Sequence, residues 1–263
     1  MTSTKKIKEF WKEQAKEFKE SDLATAPDTY YRDLEINRIE AYLKDAKNIL
    51  DIGCGNGYST IKFAKKYKKA KFLGIDYSEE MVKYASKSLS KNKNLKNRVK
   101  FAVGDVLSLS KHLPDENRFD FIISERCLIN LRNWEEQKKA LLEMKKILKK
   151  NGRIILCENT QEGLARLNEL RKRQNLFSIK VRWHNFYMPE KKLIEFSKKH
   201  FRVEDINNIG SLYYIISRVV YAKLAALENK EPEYLHPINK IASQLPSIGN
   251  FSPNYIFLLK NKV

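Results

Sequence analysis

Between Lys47 and Glu158 the chain alternates two hydrophobic rhythms. Short, nearly continuous apolar runs fall at Lys47 to Ile52, Lys71 to Asp76, Val99 to Val103, Phe119 to Ser124 and Arg153 to Glu158, and each is read as a buried strand. The stretches between them carry apolar residues at helical spacing. In one of these, Ile61, Ala64 and Tyr67 share a face while Lys62, Lys65, Lys66 and Lys69 occupy the rest. Strand followed by helix, repeated in this way, predicts an α/β fold with a doubly wound, mostly parallel sheet. Further on, "MPEKKLIEFSKKH" reads as a helix opened by Pro189, "FRVEDINNI" as a strand and "NYIFLLKN" as the final strand.

Three segments stand outside this rhythm. The start, "MTSTKKIKEFWKEQ", places Ile7, Phe10 and Trp11 at helical spacing and predicts an N-terminal helical segment. Residues 159–187 and 210–253 are read as helical insertions capping the sheet edge. The second opens with a helix whose Leu212, Ile216, Val219, Lys223 and Leu227 lie on one stripe.

Composition narrows the setting. No apolar run approaches the ~20 residues of a membrane-spanning helix, and the N-terminus lacks the apolar core of a signal peptide, so a soluble, cytoplasmic protein with no membrane span is expected. Cys54, Cys127 and Cys157 form no CxxC pair, which predicts reduced thiols and no structural zinc. The net charge of +19 suits nucleic acid or an acidic surface. The excess is lysine scattered over the polar faces of predicted helices, without the arginine and aromatic interleaving of a groove reader. Nucleic acid is therefore a possible partner that is not favoured.

The stretch "NILDIGCGNGYST" carries the first chemistry. Asp51 is followed by Gly53, Gly55 and Gly57, a turn in which bare backbone can approach a ligand at the carboxyl end of a strand. The spacing is G-x-G-x-G, not the G-x-G-x-x-G of dinucleotide binders, and no lysine follows to hold a phosphate. Asp76 ends the second strand where an acid can accept both ribose hydroxyls of an adenosine. Asp105, after the third strand, is placed to accept from an adenine amino group.

With "GIDYSEEM", "GDV", "FDFIISERCLINL" and "LKKNGRIILCE" following in order, the chain resembles the class I S-adenosylmethionine-dependent methyltransferases from about Asn48 to Glu158. The resemblance implies a Rossmann-like, seven-stranded sheet whose last strand is antiparallel, and S-adenosyl-L-methionine as cofactor. It puts Gly53, Gly55 and Gly57 against the methionine part, Asp76 on the ribose and Asp105 on the adenine, with Asp51 supporting the loop or the amino group. Cys54, Tyr77, Met81, Gly104, Val106, Ser124 and Glu125 complete the implied cofactor site. Tyr31 and Arg32 precede the first strand, where the family often has a lid, and the arginine can pair with the methionine carboxylate. Asn151-Gly152 replaces the Pro-Gly common in the family, a change of turn. The expected organisation is one methyltransferase domain, 1–263: an N-terminal helical lid 1–46, a cofactor-binding core 47–158, and substrate-side insertions 159–187 and 210–253.

The acceptor is read by exclusion. After the fourth strand stands Ser124-Glu125-Arg126-Cys127, not the Asn/Asp-Pro-Pro-aromatic turn that grips a base amino group, nor the Pro-Cys of a cytosine-carbon enzyme; Cys127 is read as packing. No Asp-Asn pair of a catechol-type metal site is present, so no metal is expected. O-methylation of a small molecule or saccharide hydroxyl remains, with an RNA-modifying enzyme or a non-catalytic cofactor-binding protein as alternatives. "VRWHNFYM" brings Trp183, His184, Asn185, Phe186 and Tyr187 together in a predicted loop. His184 is the candidate general base with a pKa near neutral, or else a structural histidine. Glu158 and Tyr187 are the other catalytic candidates. His112, His200 and His236 are assigned to the surface.

Overall fold

A computed structural model describes residues 3–113 and 118–262, apart from the side chain of His112. The strands are β1 (Asn48–Ile52), β2 (Lys71–Asp76), β3 (Val99–Val103), β4 (Phe119–Glu125), β5 (Leu148–Asn159), β6 (Phe201–Asn208) and β7 (Asn254–Asn261). The helices ahead of the sheet are α1 (Thr4–Phe18) and α2 (Thr29–Glu40), followed by α3 (Tyr58–Lys66), α4 (Glu79–Ser90), α5 (Leu109–His112) and α6 (Trp134–Ile147) between strands. After β5 come α7 (Gln161–Arg173) and α8 (Glu190–His200), then α9 (Ser211–Tyr214), a π-helical segment Ile215–Val220, α10 (Tyr221–Leu227) and α11 (Pro237–Ser243).

The seven strands form one sheet in the order β3-β2-β1-β4-β5-β7-β6. β7 alone runs antiparallel to its neighbours, as the family resemblance implies. Ile52 sits opposite both Ile75 and Ser124, and Ser124 opposite Leu156, so β1, β2, β4 and β5 end at one edge. That edge carries the glycine loop, Asp76, Glu125 and Glu158.

Alternate residues feed two apolar layers, as the period of a strand requires. Ile49, Ile123, Ile155 and Ile256 pack under α2 and α3 with Phe63 and Phe72. Leu50, Ile122, Ile154 and Phe257 face the opposite layer with Met144 of α6 and Leu193 of α8. Burial on both faces explains why β1, β4, β5 and β7 read as continuous hydrophobic runs, whereas β3 and β6, at the edges, are partly exposed.

The structure departs from the expected pattern in two places. β5 begins at Leu148, not Arg153, because a register shift between Phe119 and Phe121 lets Leu148 pair with Phe119. Asn151, at φ 66°, makes the turn inside it, a conformation asparagine tolerates. The stripe Leu212, Ile216, Val219, Lys223 and Leu227 does not act as one buried face. Val219 is buried, but Leu227 is 68% exposed, and the inward residues are Tyr213, Ser217, Ala222 and Ala225. The π segment adds a residue to its turn and rotates everything after it.

Both insertions cover the carboxyl end of the sheet, where their residues line a common cavity. α1 packs on α4 with Ile7 and Ala15 buried. Among the described residues no helix is long and apolar enough to cross a membrane.

Candidate active site

The glycine loop is shaped by its own packing as much as by any ligand. Gly53 and Gly55 adopt φ of 64° and 54°, in the left-handed region that glycine enters without penalty. A Cβ on Gly53 would lie 2.5 Å from the Cys127 sulfur, and one on Gly55 2.7 Å from the Thr25 methyl. Cys127 is thus a packing partner of the loop. Gly57 is the N-cap of α3.

Asp76 is built into this loop. Gly55 N donates to one of its carboxylate oxygens at 3.0 Å and Ser78 N to the other at 2.9 Å. Burial raises the carboxyl to about 6, against these donors. Burial likewise raises Asp51 to about 7, opposed by the hydroxyl of Thr60, which donates to it at 2.5 Å.

A cavity of about 250 Å³ opens beside the loop. From the donor side it is lined by the expected Asp51, Gly53, Cys54, Gly55, Asp76, Tyr77 and Met81, with Tyr31, Arg32 and Glu125. His184 and Tyr187 line the same cavity, together with Tyr214, Arg218 and Tyr234 of the second insertion. Tyr31 is also a core residue: its ring packs on Tyr213 and Tyr214, and its hydroxyl lies 3.2 Å from that of Ser252. Arg32 is buried, donates to the Asp22 carbonyl and stacks over Tyr58 at 4.8 Å, while its Nε has no partner among the described residues. The Glu125 Oε1 is buried and equally unpartnered.

The remaining expected residues lie outside the lining. Asp105 accepts from Leu107 N at 2.9 Å and caps a short turn, and Gly104 and Val106 flank it. α1 crosses this end of the site: the Tyr77 hydroxyl donates to the Ile7 carbonyl at 3.5 Å, and Lys8 lies 5.3 Å over the Tyr77 ring. Ser124 and Glu158 are fully buried beneath the cavity. The Glu158 carboxylate accepts from Ser124 Oγ at 2.6 Å and from the backbone N–H groups of Cys127, Leu128 and Ile129 at 3.0, 2.8 and 3.3 Å. Burial nevertheless pushes it up to about 7. This carboxylate organises the turn after β4 and is not part of the cavity lining.

His184 departs from the expected pKa near neutral. It is 5% exposed, stacked on Phe10 and flanked edge-on by Trp11 and Trp183. Burial in this aromatic box, with the Arg182 charge beside it, pushes it down to about 4. Its Nδ1 has no hydrogen-bond partner among the described residues. Burial raises the Tyr187 hydroxyl, with Asn159 opposing. His200 and His236 are half-buried against Phe196 and Tyr221; the side chain of His112 lies outside the described residues.

Several contributors were not legible as such. Glu35, fully buried in α2, accepts from Asn254 Nδ2 at 2.9 Å and pairs with Arg126 at 3.2 Å; burial raises its pKa while Arg126 pulls it down. Asp28 caps α2 and is bound by the Tyr213 hydroxyl at 2.6 Å and by Arg218. An acid set inside the apolar run Leu34–Ile36 was the only hint of the first. Among the described residues no three His, Cys, Asp or Glu side chains cluster as metal ligands.

The strand order, the antiparallel β7, the left-handed glycine loop after β1 and the acid ending β2 define the class I S-adenosylmethionine-dependent methyltransferase fold. Residues 43–201 match the family model described as a methyltransferase domain. The chain belongs to that family, whose methyl donor is S-adenosylmethionine. It is 33% identical over 122 residues to the ajmaline N-methyltransferase of Rauvolfia serpentina, covering 46% of this chain and 39% of that one. It is 25% identical over 210 residues to the malonyl-[acyl-carrier protein] O-methyltransferase of Priestia megaterium, covering 78% and 67%. The matched part spans about two fifths of the length of the first curated relatives. Among solved structures, the magnesium protoporphyrin IX methyltransferase of Synechocystis aligns with a TM-score of 0.58 at 16% identity, over 92% of this chain and 88% of that one. An N-methyltransferase from Bradyrhizobium japonicum aligns with a TM-score of 0.58 at 13% identity, over 95% and 98%. Likeness at these identities concerns the fold.

Proposed function

We propose that this protein transfers a methyl group from S-adenosylmethionine to a hydroxyl of a small molecule or saccharide. One observation carries the reading: the Gly53–Gly55 loop, Asp76, His184 and Tyr187 all line a single cavity. The donor wall fits a cationic amino-acid nucleoside. Asp51 and Asp76 offer carboxylates there, and Arg32, whose buried Nε has no partner among the described residues, lines the same cavity. The bound donor supplies an electrophilic methyl carbon whose leaving group needs no proton. The chain's task is then to align the acceptor and receive its proton, and alignment alone can be worth on the order of 7–11 kcal/mol of barrier.

His184 is neutral at physiological pH because its pKa is depressed. In this reading its imidazole accepts a hydrogen bond from the acceptor hydroxyl and orients it, and Tyr187 lies beside it as the second polar group. Glu158 holds the turn on which Glu125 and Arg126 stand. α1 closes water out from above through Ile7, Phe10 and Trp11.

The turn after β4 lacks the Asn/Asp-Pro-Pro signature of base amino-group methylation, which supports oxygen as the methylated atom. Calorimetric titration with S-adenosylhomocysteine tests the donor, and release of S-adenosylhomocysteine from S-adenosylmethionine across a panel of glycosides, phenols and amines tests the acceptor. Absence of cofactor binding would end the reading; turnover confined to amines would replace the hydroxyl by nitrogen.

A further inference from the structure

The irregular stretch between α7 and α8 is pinned at both ends. Asn168 donates from Nδ2 to the Ile179 carbonyl at 3.0 Å and accepts from Ile179 N at 2.8 Å. Arg171 Nε donates to the Phe177 carbonyl at 2.8 Å. At the other end, the fully buried Gln137 donates to the carbonyls of Phe186 and Leu128 at 2.8 and 3.1 Å, and Phe186 N donates to the Ile129 carbonyl at 2.6 Å. A long segment without regular structure whose backbone is held by dedicated side chains is the form taken by binding loops.

Between the pins, Lys180, Arg182 and His184 reach the cavity. Of the other arginines of its lining, Arg126 is paired with Glu35 at 3.2 Å and Arg218 with Asp28, while Arg32 is held at Nη1 by the Asp22 carbonyl and over the Tyr58 ring, with its Nε left for the donor in the reading above. Among the described residues, the side chains of Lys180 and Arg182 make no ion pair and no hydrogen bond. They lie on the acceptor side, on the same loop as His184, whereas the donor's own carboxylate has Arg32 beside the glycine loop. Lys180 and Arg182 are exposed residues of an aromatic-lined cavity, and two uncommitted cations there suit an anion attached to a hydroxyl-bearing body, since an arginine fork and an ammonium bind carboxylate or phosphate oxygens through charge-assisted hydrogen bonds.

We infer that the acceptor carries a carboxylate or phosphate that pairs with Lys180 and Arg182 while its hydroxyl lies toward His184. The inference rests on the methyl-transfer reading and specifies its substrate.

The test begins with the full chain saturated by S-adenosylhomocysteine, titrated calorimetrically with matched probes: glucose against glucuronate and glucose 1-phosphate, and phenol against 4-hydroxybenzoate. In at least one scaffold the anion binds roughly tenfold or more tighter than its neutral partner, the size expected of a charge-assisted contact. The glucuronate and phosphate arms separate the two anion chemistries. K180Q/R182Q abolishes the preference and leaves S-adenosylhomocysteine affinity unmoved. K172Q/R173Q, which removes the same charge from the end of α7, retains it. Equal binding of neutral and anionic probes in both scaffolds overturns the inference, as does a preference that survives K180Q/R182Q or is lost equally in K172Q/R173Q. Failure of S-adenosylhomocysteine to bind is seen in the first titration, and removes the methyl-transfer reading and the inference together.

Discussion

The imidazole of His184 lies nearly flat on the ring of Phe10, with centroids 4.3 Å apart and planes inclined by 22°. One residue belongs to α1 and the other to the loop before α8. The stack is therefore what keeps water from the imidazole.

Removing the Phe10 ring should rehydrate His184 and return its pKa from about 4 toward its ordinary 6.5. In Phe10→Ala, the imidazole proton shifts followed by NMR should titrate at least about one unit higher than in the parent, because desolvation is the leading cause of the depression. A titration that does not move would show that the stack has no part in it.

The same depression has a stability signature. A histidine with a lowered folded-state pKa contributes stability that is present above 6.5 and is lost as pH falls through about 4. At about 1.4 kcal/mol per unit, the parent should lose up to about 3 kcal/mol relative to His184→Gln across that window, measured by denaturant titration. Curves that run parallel would contradict the shift.

For turnover, glutamine can accept a hydrogen bond from a hydroxyl but cannot take its proton. An orienting His184 predicts that His184→Gln loses less than about tenfold, and that at saturating donor the pH profiles of parent and variant from 6 to 8 have the same shape. A loss in the range of about 10² to 10⁴, typical of general base catalysis, would restore the histidine as base.

In the ribose assignment Asp76 accepts from both hydroxyls most strongly as a carboxylate, and burial raises its pKa to about 6. Affinity for S-adenosylhomocysteine should therefore decline as pH falls through about 6, and Asp76→Asn should flatten the profile. Asp76→Ala should weaken binding at pH 7.5 by at least tenfold, in line with roughly 1.5–3 kcal/mol for a hydrogen-bonded charge. An unchanged calorimetric affinity would refute the ribose assignment.

Glu158 predicts a fold phenotype. Its carboxylate gathers one hydroxyl and three backbone N–H donors, so Glu158→Ala should cost at least about 2 kcal/mol by stranding them. Ser124→Ala removes one donor and should cost about 1 kcal/mol or less. If Glu158→Ala melts like the parent but does not turn over, the carboxylate acts in the chemistry instead.

The central strands were legible because burial on both faces leaves no polar phase to confuse, and β7 spans the residues read for it; the partly exposed edge strands β3 and β6 were legible from their short β-rich runs. The loop and Asp76 were legible because turn chemistry is local. What escaped depends on distant neighbours. The depressed His184 pKa needs Phe10 and Trp11, which nothing near residue 184 announces. The role of Glu158 is written in backbone N–H groups, which have no residue signature. The π segment is one extra residue in a helix of unchanged composition, so the stripe drawn through it went out of phase.

α1 touches the donor wall through Ile7 and Tyr77, the turn after β4 through Trp11 Nε1, which donates to Asn130 Oδ1 at 3.0 Å, and the acceptor wall through Phe10 and His184. Its packing is therefore shared by residues assigned to both ligands. A donor that steadies the helix against Tyr77 also orders the acceptor wall, and by reciprocity an acceptor returns the same factor to the donor. The two ligands should then bind with positive cooperativity, read as a tighter acceptor Kd in the presence of S-adenosylhomocysteine.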